Sequence, residues 1–203
     1  MKVAGYLIRH PQGLSGTRGI AYDYVLTGNG VFVEADSPSI AARIPVFEAA
    51  IRGLEKSSTK IVLKHGRIPY CLLAQFIEMA KNNDPKEVFA AIVWDNGYKL
   101  ICPQQENSIC SIKYDCVDGA VIELHSHGRM PAFFSGQDNR DETGYKFYGV
   151  VGKCSEDTEI KFRIGIYGYF LSMDFSTIFS GILLDAKEKE GEEMDGLPCQ
   201  EPV

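Results

Sequence analysis

Glu123-Leu124-His125-Ser126-His127-Gly128-Arg129-Met130-Pro131-Ala132-Phe133-Phe134-Ser135-Gly136-Gln137-Asp138 is the stretch on which the fold and chemistry of this chain turn. It continues an apolar run and holds two of the chain's 4 histidines. Residues two apart on an extended strand face the same side, so His125 and His127 can present their imidazoles to one point without distorting the backbone. Ser135 and Asp138 stand three apart, which on a helical turn gives them a common face and offers the carboxylate as a third ligand. Two histidines and a carboxylate leave a tetrahedral Zn²⁺ one open position for water. Each half of the pattern also has an ordinary reading. A His-x-His pair can be a surface or core feature, and Ser-x-x-Asp can be a helix N-cap with an acidic residue in the first turn. Capping is compatible with ligation, and the order and spacing of all four residues favour the metal site.

Upstream of this stretch, Pro69 opens a helix in which Leu72, Leu73, Phe76, Ile77 and Ala80 share a face, and Asn82-Asn83-Asp84-Pro85 ends it. Residues 87–94, 98–102, 109–116 and 120–127 are then successive strand candidates and predict a meander. Nearer the N-terminus, residues 3–8, 20–26 and 31–34 predict a small strand-turn-strand unit, and residues 60–64 another strand. Ile44, Phe47 and Ile51 recur at helical intervals and predict an amphipathic helix over residues 40–54. Downstream, residues 145–151 and 160–169 are strand-like, and residues 170–184 are apolar enough for a final helix or strand. From Lys187 the chain alternates Lys and Glu and adds Gly191, Gly196, Pro198 and Pro202, the composition of a frayed helix end and a disordered tail.

Composition narrows the function classes. The 203 residues carry 21 basic and 27 acidic side chains, a net charge of -6. With the basic residues scattered, this argues against a nucleic-acid partner, which needs clustered Lys and Arg. No run reaches the ~20 apolar residues of a membrane span, and the first ten residues lack a signal peptide's apolar region. The 6 cysteines contain no C-x-x-C pair and are too few for a disulfide scaffold, so a soluble protein of a reducing cytoplasm is expected. None of them sits where a helix start or basic neighbours would lower a thiol pKa. Pro198-Cys199-Gln200 lacks the second Cys that a zinc deaminase needs. His10 and His65 read as structural, Trp94 with Phe89 and Tyr98 as core, and Lys64 and Arg67 as a solvated face.

His125-Ser126-His127 followed, after seven residues, by Ser135-Gly136-Gln137-Asp138 resembles the JAMM signature of the JAB/MPN metalloprotease superfamily, prokaryotic JAB type. The resemblance implies an α/β fold, a JAB/MPN-like sandwich of a mixed β-sheet with flanking helices. That domain would span residues 67–184, with residues 1–66 a β-rich extension and residues 185–203 an acidic tail. It implies Zn²⁺ held by His125, His127 and Asp138, an oxyanion assisted by Ser135, and an upstream Glu as acid-base. The family sets that Glu shortly after the long helix in a Pro-x-Glu context, which Pro85-Lys86-Glu87 fits, so Glu87 is the candidate. Glu123 is the rival: strand alternation turns it to the ligands' face, where it could instead orient a histidine. Gly128 stands where many members have Pro, and Ala90 where they have Gly; neither position supplies a ligand.

The implied activity is hydrolysis of amide bonds in conjugates of ubiquitin-like or sulfur-carrier proteins. The alternative is a catalytically silent binding or scaffold relative. Ala21-Tyr22-Asp23-Tyr24-Val25-Leu26, Lys64-His65-Gly66-Arg67-Ile68-Pro69, His125-Ser126-His127-Gly128 and Ala132-Phe133-Phe134-Ser135 look more narrowly like the bacterial PRTRC system protein A group. That group is encoded beside a ThiF-like activating-enzyme homologue, which implies such a partner.

Overall fold

Buried and exposed side chains alternate along much of the N-terminal third of the chain, and strands follow from that period. A computed structural model describes residues 2–107, 112–114, 117–155 and 157–181. Strands β1 (Ala4–His10), β2 (Gly13–Thr17), β3 (Tyr22–Thr27), β4 (Gly30–Asp36), β5 (Ile40–Glu48) and β6 (Lys60–Leu63) form one sheet in the order β2-β1-β3-β4-β5-β6. The β1–β3 pair is parallel, and the other pairs of this sheet are antiparallel. Leu7, Val25 and Phe32 make a buried cluster on it.

The helix expected over residues 40–54 is therefore strand β5, with Ile40, Ala42 and Ile44 buried in alternation. Pro45 decides the matter. Inside a helix it would remove a backbone hydrogen bond and clash with the preceding turn, whereas a sheet accepts it at a bulge. The β4–β5 register moves from Val31↔Phe47 to Phe32↔Pro45, leaving Val46 as the extra residue of such a bulge.

Beyond Gly66 come β7 (Ile68–Pro69), α1 (Tyr70–Asn83), β8 (Phe89–Trp94), β9 (Tyr98–Ile101), β10 (Gln105–Asn107), β11 (Ile112–Tyr114) and β12 (Ala120–Ser126). They are followed by α2 (Gly136–Asp141), β13 (Tyr145–Gly152), β14 (Glu159–Ile166), β15 (Tyr169–Met173), a 3-10 turn (Phe175–Thr177) and β16 (Phe179–Ser180). The second six-stranded sheet runs β15-β14-β13-β12-β8-β9. Strands β10 and β11 form a separate two-stranded antiparallel sheet, so β12 returns to the far side of β8 and the expected meander is interrupted. Parts of the expected 109–116 strand, and the tail from residue 185, lie outside the described residues. Helix α1 buries Leu72, Leu73, Phe76 and Ala80, the face its sequence period marks. Cys71 in its first turn is disulfide-bonded, whereas Cys102 and Cys154 are free thiols.

The expected α/β sandwich with flanking helices is not what forms. Among the described residues, helix is confined to the 14 residues of α1, the 6 of α2 and one 3-10 turn, and the architecture is mostly β. Besides β5, the described part of residues 170–184 contributes strand and a 3-10 turn where a helix was one of two expectations. No described helix is long and apolar enough to cross a membrane.

The chain divides into two compact units. One comprises Met1–Gly66, Phe134–Tyr148 and Phe162–Met173. Within it the Tyr145 hydroxyl donates to the Ala35 carbonyl at 2.9 Å, and the hydroxyls of Tyr24 and Tyr169 share a 2.6 Å hydrogen bond. The other comprises Arg67–Phe133, Gly149–Lys161 and the described residues from Asp174 on. Its centre is β8, apolar along its whole length and buried on both faces, beside Val121, Ile122 and Leu124 of β12.

Candidate metal centre

Strand β12 fixes the two histidines. Its antiparallel register with β8 pairs Leu124 with Ala90 and His125 with Phe89. The Ser126 amide continues it by donating to the Val88 carbonyl at 2.9 Å, and the fully buried Ser126 Oγ accepts from the Val88 amide at 2.9 Å. The seryl side chain thus replaces a ladder bond at the strand's end, pinning the residue between the histidines.

After His127 the chain turns, the Met130 amide donating to the His127 carbonyl at 3.0 Å. Gly128 adopts φ +52°, and a Cβ there would stand 2.8 Å from the Pro85 carbonyl oxygen. Proline, fixed near φ −65°, cannot take that conformation, so the proline that many members of the resembling family have there would not fit this turn. The His127 ring is only 7% exposed. Its Nδ1 lies 3.2 Å from the Pro131 carbonyl, and its ring packs edge-to-face with that of Phe133, the centroids 4.6 Å apart. A carbonyl only accepts, so Nδ1–H donates to it, and in the neutral ring this leaves Nε2 with the lone pair.

Nε2 of His125 and Nε2 of His127 are 3.3 Å apart. Two nitrogens at zinc-binding distance in a tetrahedral shell are about 3.3 Å apart. One ligand atom from each of His125, His127 and Asp138 lies within 4.8 Å of the others, and this is the group among the described residues suited to hold a metal ion.

Helix α2 carries the other two residues, and here both readings of Ser-x-x-Asp meet. Ser135 Oγ accepts from the Gln137 and Asp138 amides at 3.2 and 3.1 Å, while Asp138 Oδ2 accepts from the Ser135 amide at 2.5 Å. This is a capping box. With both Oγ lone pairs engaged, the hydroxyl's remaining capacity is to donate, the role an oxyanion requires. A carboxylate has about four lone-pair sites, so capping leaves Asp138 able to ligate.

Glu87 is 7% exposed and precedes Val88, whose amide and carbonyl meet Ser126 at the end of β12. Glu123 pairs with Ala91, two residues back from His125 along the strand. Sequence reading missed Arg163. It is a 5% exposed charge between Phe162 and Ile164, and it reaches α2 through Asn139 and Glu142. A cation inside an apolar strand was the available signal.

No curated protein matches the sequence. Residues 71–165 match the model of the prokaryotic homologs of the JAB domain, so the stretch that carries Glu87, His125, His127, Ser135 and Asp138 is similar to that family.

Proposed function

We propose that the chain is a zinc-dependent peptidase or isopeptidase that hydrolyses an amide bond in a conjugate of a ubiquitin-like or sulfur-carrier protein. The observation that carries the reading is the paired His125 and His127 Nε2 atoms with Asp138 beside them, in a stretch similar to the JAB family. Bound zinc would polarise the scissile carbonyl and make water a nucleophile near neutral pH. Glu87 takes a proton from the attacking water and returns it to the departing amine. Ser135 donates its hydroxyl hydrogen to the carbonyl oxygen as negative charge collects there. His127 is held in one tautomer by the Pro131 carbonyl, so that its ligating nitrogen needs no reorganisation. The narrower likeness to the PRTRC system protein A group adds a ThiF-like activating-enzyme homologue as the proposed partner.

The experiment is incubation of the purified chain with amide conjugates of ubiquitin-like and sulfur-carrier proteins, with and without a chelator, beside Glu87→Gln. Chelator-sensitive release after a C-terminal glycine, absent in the variant, supports the reading. Binding of a conjugate with no product under any metal condition would make the chain a silent scaffold instead.

A further inference from the structure

Arg163 lies on β14 at 5% exposure, and all three nitrogens of its guanidinium donate to Asn139 and Glu142. Nε and Nη2 both donate to Glu142 Oε2, at 2.9 and 2.5 Å, and Nη1 donates to Asn139 Oδ1 at 2.6 Å. The guanidinium is stacked by the rings of Phe134 and Phe170, at 3.8 and 3.7 Å from their centroids. Three of these partners bracket the metal-site residues in sequence: Phe134 precedes Ser135, Asn139 follows Asp138, and the Glu142 amide closes α2 on the Asp138 carbonyl at 2.8 Å.

The helix between them cannot place itself. It has 6 residues, buries none of them, and is too short to be stable by its own hydrogen bonds. Its capping box fixes Asp138 relative to Ser135 but ties neither to the sheet. The Arg163 guanidinium ties the C-terminal end of this helix to β14.

We infer that Arg163 is a positioning residue for the metal centre, holding α2 on β14 so that Asp138 reaches the histidines as third ligand. This rests on the proposed metal reading. Lysine keeps the charge but has neither the planar fork nor the stacking surface, so Arg163→Lys separates position from charge. Zinc affinity, measured by competition with a chromophoric chelator, should fall about 10–100-fold in Arg163→Lys, the range for loss of a group that orients a ligand. The Co²⁺ absorption spectrum of that variant should move toward that of Asp138→Asn. In an Asp138→Asn background, Arg163→Lys should cost no further affinity, because its effect travels through the missing ligand. Equal affinity in wild type and Arg163→Lys, or an undiminished loss in the double variant, would overturn the inference. Wild type that takes up no zinc at all would overturn the metal reading itself, and the inference with it. If Arg163→Lys fails to fold, Asn139→Ala carries the same comparison, since it removes one exposed partner of the guanidinium and should lower affinity severalfold.

Discussion

On the proposed reading single side chains serve structure and chemistry together, and substitutions can separate the two. Ser135→Ala should cost about 1 kcal/mol of stability through the lost cap and about 10²–10³-fold in turnover through the lost donor. Ser135→Asn should restore the cap without restoring the rate; thermal unfolding and kcat, measured on the same preparations, check both. Glu87→Gln should keep zinc and reduce turnover by about 10²–10⁴-fold. Full activity in that variant would move the acid-base role to Glu123 or elsewhere. Gly128→Ala forces a Cβ to 2.8 Å from the Pro85 carbonyl oxygen at φ +52°, and should destabilise the fold by more than about 1 kcal/mol in denaturant titration. The candidate ligands were legible in the sequence because His-x-His on a strand and Ser-x-x-Asp on a turn set their own local geometry. Arg163 was not, because its partners Asn139 and Glu142 lie more than twenty residues away in sequence, and only the fold brings them to it.

At the scale of elements, the loop that follows the histidines is held by charge. Glu159 Oε2 accepts from the Ala132 amide at 3.1 Å, and Oε1 pairs with Lys153 Nζ at 2.6 Å. The Lys153 ammonium first, and the Ala132 amide second, hold the Glu159 carboxyl below its ordinary 4.5. A carboxyl lowered by folding stabilises the loop fully above that ordinary value and loses its contribution as pH falls through the lowered one. The Ala132 amide resonance should therefore stay constant above pH 4.5 and shift on acidification below it. In Glu159→Gln that titration should vanish; its persistence would assign the transition to another group. Helix α1 and most strands were legible from periodicity and from the prolines that bound them. Strand β5 was not: Ile44, Phe47 and Ile51 fit a 3.6-residue period by coincidence, while Ile40, Ala42 and Ile44 fit the two-residue period that the sheet uses. Pro45 carried the correction, and its bulge could be seen only once β4 supplied the partner register.

Over the whole chain, the β-rich N-terminus was legible as strands, but not its membership in a unit with Phe134–Tyr148 and Phe162–Met173, because strand pairing at long range leaves no local pattern. Residues 67–203 expressed alone would leave the Tyr145 and Tyr169 hydroxyls without Ala35 and Tyr24. That fragment should lack the cooperative thermal transition of the full chain. A fragment that melts cooperatively at the same temperature would show that residues 1–66 are dispensable. The central claim, that His125, His127 and Asp138 form a zinc site, is tested most directly by elemental analysis of the purified full chain beside His125→Ala. The account predicts about one zinc per chain in the wild type and loss of it in the variant; undiminished zinc in His125→Ala would contradict it.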